Sequence, residues 1–326
     1  MNSVLMCIAA LVLAGSPAEP QSADEWRTAM ERGNAAERAG DYTAAAASYR
    51  DAVRISERFG PDERRRVYSL NALAMMCDAL GRLPDAEAAY RRSLAVLERT
   101  GGKNSSDYAL IQGNLASLYV EMGRTARGEE MIRKSLASYA AMEKPDEVRV
   151  AMARNILAEI LLTADKYREA DGVLAASIEV LKNHPESWAE TAVALNNMGV
   201  VRTYQKRFTE AEQSLRQSLD IMETHMGPDH PMLVRTLNNM ASFLHQAGRR
   251  QEAGQMLQRA VGIAERRLGE EHPVYGAVLH NYADYLRDAG DKAGAKTVEA
   301  RSAKILRDSR RINGMGSVID VSALRR

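Results

Sequence analysis

The sequence predicts an all-α protein, a right-handed superhelical solenoid of about seven helix-turn-helix repeats. Three observations carry this expectation. A turn followed by an amphipathic helix recurs at residues 40, 81, 123, 165, 206, 248 and 290, in steps of 41 or 42 residues. Self-similarity at a fixed period of this size is the mark of a repeat array. Small residues recur at fixed distances on both sides of each turn. Finally, 326 residues contain only 3 Phe and 2 Trp, so Ala, Leu and Met must fill the interior, which suits helices packed at close range.

Ahead of the array, residues 4–14 (VLMCIAALVLA) form an uninterrupted apolar run. It is shorter than the roughly 20 residues that span a bilayer and fits the apolar region of a signal peptide. Ala14, Gly15, Ser16, Pro17 and Ala18 follow, and cleavage after Ala18 places Ser16 and Ala18 at the two small positions. No Lys or Arg precedes the run. Leu13-Ala14-Gly15 is like the start of a bacterial lipoprotein box, but Ser16 stands where the lipidated Cys belongs, so lipidation is not expected. Residues 1–18 are therefore read as a signal peptide. The product is exported, periplasmic or secreted, if the leader is cleaved, and otherwise cytoplasmic or N-terminally anchored. The two cysteines, Cys7 and Cys77, support neither a disulfide framework nor a four-thiolate zinc site.

Each repeat is built around its turn. Gly suits that position because helices commonly end in a left-handed residue, and Gly40, Gly81, Gly123, Gly248 and Gly290 supply it, with Asp165 and Lys206 in the fourth and fifth copies. Seven residues before the turn stand Gly33, Ala74, Ala116, Ala158, Gly199, Ala241 and Ala283; five residues after it stand Ala45, Ala86, Gly128, Ala170, Ala211, Ala253 and Ala295. Antiparallel helices approach closely only where neither carries a bulky side chain. Larger apolar residues recur between them, Leu73, Leu115, Leu157, Met198 and Met240 on the first helices and Tyr49, Tyr90, Ile132, Leu174, Leu215 and Leu257 on the second. Spacings of three and four put them on one helical face.

This pattern resembles the tetratricopeptide repeat, and the 42-residue period is similar to the kinesin light chain type. Leu237-Asn238-Asn239-Met240-Ala241, Met226-Gly227-Pro228-Asp229-His230-Pro231 and Leu268-Gly269-Glu270-Glu271-His272-Pro273 are the stretches that carry the resemblance best. The array covers residues 19–307. Its end copies carry Arg32 and Glu299 at positions that are apolar elsewhere, as expected of caps without a neighbour on one side. Residues 308–326 are read as a helix end and flexible tail, with a short strand-like run at residues 317–321.

The functional expectation lies on the concave face formed by the first helices. Asn71, Asn114, Asn155, Asn196, Asn197, Asn238, Asn239 and Asn281 stand nine or ten residues before the turns. Asn is a poor helix former, and its amide both donates and accepts, so such a ladder can bond an extended peptide backbone or, alternatively, the neighbouring helix. The resemblance implies peptide contacts from Asn at these positions. Tyr68, Met75, Met152, Val193, Val200 and Tyr204 make the middle of the face apolar. Arg235, Ser242, His245, His280, Asp284 and Arg287 make its C-terminal half polar.

Other chemistries are weakly represented. A net charge of +1 gives no electrostatic case for nucleic acid or an anionic membrane. His184, His230 and His272 precede Pro in inter-repeat turns and read as structural. His245, His280 and Asp284 match no metal-ligand spacing. No phosphate loop, nucleophile elbow or zinc-protease motif is present, and the helical Glu and Asp read as a solvated face. The expectation is a non-enzymatic module without a cofactor, catalytic residues or metal, which binds a peptide or partner protein in its groove. The alternative is an assembly component of an envelope complex that associates through its convex face or ends. No stable membrane span is expected once the leader is removed.

Overall fold

The structure, a computed structural model, describes residues 20–313. The signal-peptide reading of residues 1–18 and the run at 317–321 lie outside the described residues. Within them the chain is helical, with fourteen α-helices and no strand. The pairs follow the repeats in order: α1 (Pro20–Arg38) with α2 (Tyr42–Ser56), and α3 (Arg64–Ala79) with α4 (Leu83–Arg99). Next come α5 (Ser106–Glu121) with α6 (Thr125–Ala140), and α7 (Glu147–Thr163) with α8 (Tyr167–Leu181). Then α9 (Trp188–Tyr204) pairs with α10 (Phe208–Met226), and α11 (Leu233–Gln246) with α12 (Arg250–Arg267). Finally α13 (Pro273–Asp288) pairs with α14 (Lys292–Asn313), which runs past residue 307, where the array was expected to end.

The turns are left-handed in every copy, including the two without Gly. Asp165 has φ of 57° and Lys206 of 59°. All fourteen small positions are buried, and the geometry says why. A Cβ on Gly128 would stand 2.9 Å from the Ala116 carbonyl oxygen, and one on Gly33 would run into the ring of Tyr49. The larger apolar residues that follow fill the space beside them, with Tyr49 and Tyr90 each only 1% exposed. At the ends, Arg32 and Glu299 stand in water, where they pair with Asp51 and Arg287.

A buried serine adds a second periodic bond. Ser93, Ser135, Ser177, Ser218 and Ser302 lie twelve residues past their turns, fully or almost fully buried. Each donates its Oγ–H to the carbonyl 26 residues earlier, on the partner helix: Val67, Ala109, Ala151, Ala192 and Gly276, at 2.6–3.3 Å. A buried hydroxyl needs such a partner, and the bond fixes how the two helices slide against each other.

The superhelix closes on itself. Gly40, in the first turn, lies under Pro231, whose Cδ would be 2.6 Å from a Cβ at that position. Tyr42 meets the His230 ring edge-on, with centroids 6.2 Å apart. One repeat further on, Gly81 lies under Pro273 in the same way, and His272 Nε2 reaches the Ala79 carbonyl at 2.8 Å. His230 and His272 are buried, and each accepts a backbone N–H at Nδ1, so each also caps its own turn. The structural role expected for these two residues is therefore larger than a local turn. His184 stays half-buried beside Glu147 and Glu186.

Candidate functional site

Successive first helices touch one another, α3 with α5, α5 with α7, α7 with α9, α9 with α11 and α11 with α13. They therefore line the inner face of the superhelix, and the residues singled out on them share that face. The asparagines follow a rule that involves both of their positions. The Asn nine residues before one turn donates to the Asn ten residues before the preceding turn. Asn114 donates to Asn71 at 3.1 Å, Asn239 to Asn196 at 3.0 Å, and Asn281 to Asn238 at 2.8 Å.

The rule breaks in the middle. Asn155 turns its Nδ2 to the Glu190 carbonyl at 3.5 Å. Asn197, which the rule would direct to Asn155, donates to Glu159 Oε1 at 3.0 Å. Arg235 holds this break, donating to Glu159 at 2.6 Å and to Asn197 Oδ1 at 3.0 Å. Glu159 and Arg235 belong to the fourth and sixth repeats, so the inner face curves tightly enough for side chains two repeats apart to meet. Asn155, Asn196, Asn197 and Asn238 are buried, whereas Asn71, Asn114, Asn239 and Asn281 are half-buried.

The remaining candidates spread along the same face. Tyr204 stacks on Tyr167, with centroids 5.1 Å apart and planes 6° from parallel. Tyr68 donates to Asp107 at 3.2 Å. Met75, Met152 and Val193 are buried. His245 pairs with Asp288 at 3.8 Å rather than with His280. Arg287 is held between Asp284 and Glu299 in the last repeat. Among the described residues, no three His, Cys, Asp or Glu side chains come together to hold a metal ion, and no helix is long and apolar enough to cross a membrane.

The structure departs from the sequence expectation on the carboxylates. Asp78, Glu121 and Glu159 do not belong to a solvated face. They stand near the ends of consecutive first helices on the inner side, where Asp78 is buried and Glu121 and Glu159 are half-buried. Their positions three, two and six residues before the turns carried the signal, because the repeat register places all three positions inside.

Comparison with known proteins agrees with this architecture. The chain matches the tetratricopeptide repeat family over residues 27–99, 190–260 and 233–308, together more than half of its length. It is 25% identical over 174 residues to Protein KINESIN LIGHT CHAIN-RELATED 1 of Arabidopsis thaliana, a match that covers 53% of this chain and 28% of that protein. The chain thus spans under a third of that relative's length. The crystal structure of BtubC (BKLC) from P. vanneervenii superposes with a TM-score of 0.53 at 18% identity, covering 72% of this chain and 94% of that one. A Rap protein solved in complex with Competence and Sporulation Factor gives 0.69 at 12% identity, covering 88% and 76%. At these identities the two solved structures share the fold.

Proposed function

Because the chain belongs to the tetratricopeptide repeat family, a family of protein–protein interaction scaffolds that are typically non-enzymatic, we propose that it holds an extended peptide segment of a partner protein along its inner face. The observation that carries this reading is the row of inter-repeat asparagine pairs. An amide has two N–H donors and a carbonyl with two lone pairs. The bond from Asn239 to Asn196, or from Asn114 to Asn71, uses one donor and one lone pair. The half-buried members keep capacity for a peptide backbone, at the repeat spacing and without regard to its sequence. The stacked tyrosines Tyr167 and Tyr204 add an apolar contact beside the row.

Selection of random octapeptides displayed on phage tests the reading. Enriched peptides should compete with one another for a single site and lose affinity in variants of the asparagine row. Failure to enrich any peptide, together with concentration-dependent self-association in light scattering, favours the assembly component instead.

We also propose that the protein is exported. The apolar run at residues 4–14 and the small residues up to Ala18 support this. Intact mass of protein from the native host should place the mature N-terminus at Glu19, and a chain still starting at Met1 overturns it.

A further inference from the structure

Two inter-repeat turns of the second half rest on the first two repeat turns. Gly40 meets Pro231, and Gly81 meets Pro273. The helices that pack closely are chain neighbours or successive first helices, so this seam joins turns rather than helix faces. Leu268 adds an apolar contact, since it packs against the core of the first repeats as well as its own. Curvature in a solenoid is the sum of small rotations between repeats that contact mainly their neighbours. A slight change at each interface therefore parts the seam while every repeat keeps its own core.

Each of the two contacts buries a histidine. His272 brings Nε2 within 2.8 Å of the Ala79 carbonyl and accepts the Val274 N–H at Nδ1. His230 lies edge-on to Tyr42 and accepts the Met232 N–H at Nδ1. Its Nε2 is buried near the Glu37 carbonyl without closing a hydrogen bond. His184 also precedes a Pro in an inter-repeat turn, but it stays half-buried between Glu147 and Glu186. Burial thus goes with the seam and not with the His-Pro pair. A proton enters either ring at Nδ1, the nitrogen that accepts. There it opposes a backbone N–H and leaves a cation in a dry contact. The charged neighbours do not offset this. Asp78 and Arg82 flank the turn under His272, and burial keeps the Asp78 carboxyl well above the usual range. Glu121 on α5 favours a charged His272, but burial outweighs it. Glu270 and Glu271, just before His272, are exposed. Around His230, Arg267 disfavours the charged ring, Asp229 is paired with Arg266 and Arg267, and Glu37 accepts the Tyr49 hydroxyl.

We propose that the seam is an acid-released latch, closed while His230 and His272 are neutral and parted when they take up protons, so that the inner face widens. The parted seam lets water reach the charged rings, which the closed one excludes. Burial places the His272 pKa at about 4 in the closed state, against 6.5 in water. Closure is therefore favoured above pH 6.5 and loses that advantage as the pH falls towards 4. The latch rests on the peptide-binding reading only for its consequence, that acid releases a segment held along the inner face.

The test puts spin labels on cysteines introduced at Asp85 and Glu270, which are exposed and stand on opposite sides of the seam. Cys7 is replaced by Ser, and Cys77 is buried. Double electron–electron resonance should give one short distance at pH 7.5 and a longer population at pH 4.5, with the helical circular dichroism unchanged. The double variant His230→Gln/His272→Gln keeps a neutral donor near each Nε2 position and takes up no proton there, so its distance should be the same at both pH values. If that variant has a lowered melting temperature, His230→Asn/His272→Asn carries the comparison, because Asn Oδ1 reaches the capping position of Nδ1. A short distance kept at pH 4.5, an equal pH response in the variants, or loss of helix together with the seam overturns the latch and leaves the groove reading standing. A peptide selected on the inner face should also dissociate at least tenfold faster at pH 4.5 from the wild type and not from the variant. Histidine-dependent opening without that change supports the latch and overturns the groove reading instead.

Discussion

His272 and Ala79 lie 193 positions apart, and the histidine Nε2 sits 2.8 Å from the alanine carbonyl. The same ring accepts the Val274 N–H at Nδ1 at 3.2 Å. Accepting at one nitrogen and facing a carbonyl at the other requires the neutral tautomer that carries its proton on Nε2. Protonation of Nδ1 would remove the cap at the start of α13 and place a charge in the seam between the second and sixth repeats.

The first prediction follows from that tautomer. Burial lowers the His272 pKa from 6.5 to about 4, with the Ala79 bond opposing it. The unfolded chain then binds this proton more readily than the folded one between about pH 6.5 and 4. Stability contributed by the neutral ring is therefore present above pH 6.5 and lost as the pH falls through that window. Burial lowers His230 as well, which adds in the same direction. Glu190 works the opposite way, since burial raises it to about 7. Its stabilisation is present below its ordinary pKa and is lost as the pH rises towards 7. The measurement is thus a difference, chemical denaturation of wild type and His272→Gln at pH 7.5 and pH 4.5. The destabilisation caused by the substitution should shrink at the lower pH, and a difference independent of pH would remove His272 from the acid response.

Small residues at the helix crossings give the second prediction. Ala158 and Ala241 are 0% and 2% exposed. Leu at either position forces extra methyl groups into a close crossing and should cost about 1–3 kcal/mol. Ala300 on α14 is exposed, so Ala300→Leu should change stability by less than about 0.5 kcal/mol. Denaturant melts of the three variants check the register of the whole array.

Much of this architecture was legible in the sequence, because each repeat contacts mainly its neighbours and so repeats its constraints at a fixed period. The turn positions, the fourteen small residues and the polar caps follow from that alone. The buried serines were also periodic, but a hydroxyl on a helix reads as surface until its carbonyl partner 26 residues earlier is known. The seam from His272 to Ala79 and the reach from Arg235 to Glu159 were not legible. Both depend on the small rotation added at every repeat, summed over two or more repeats, and no local pattern records that sum. Curvature also turned Asp78, Glu121 and Glu159 from expected surface charges into lining of the inner face.

The two turns without Gly give the third prediction. A left-handed backbone costs an L-residue about 1–2 kcal/mol, and glycine gives back roughly 0.5–1 kcal/mol of that as extra chain entropy. Lys206 has φ of 59° and an exposed side chain. Lys206→Gly should therefore stabilise the fold by about 0.5–1 kcal/mol. Asp165 also has a positive φ, but Asp tolerates that region better, and its carboxylate accepts the Tyr167 hydroxyl. Asp165→Gly should gain less or lose stability. Thermal melts that rank the two variants in the opposite order would contradict this account of the turns.

The last prediction separates packing from binding in the asparagine row. Asn197 and Asn239 occupy equivalent positions in adjacent repeats, but the structure gives them different partners. Asn239 is a donor to Asn196, which is 2% exposed. Asn197 donates to Glu159 and accepts from both Arg235 and the Asn196 Nδ2; Arg235 keeps its bond to Glu159 when Asn197 is removed, but Asn196 loses its acceptor. Replacing both with Ala leaves the buried Asn196 oxygen without its donor Asn239 and its Nδ2–H without its acceptor Asn197, each at a cost of about 1–3 kcal/mol. The better helix propensity of Ala offsets only a fraction of that. The melting temperature of the double variant should fall, with both substitutions contributing, since each takes one partner from Asn196. Affinity is then measured by titration calorimetry well below the melt, where the array is still folded. Two lost backbone bonds at roughly 0.5–1.5 kcal/mol each should weaken a selected peptide at least tenfold, since about 1.4 kcal/mol gives that factor. A lowered melt with unchanged peptide affinity would assign the row to inter-repeat packing alone and move the binding surface elsewhere on the solenoid.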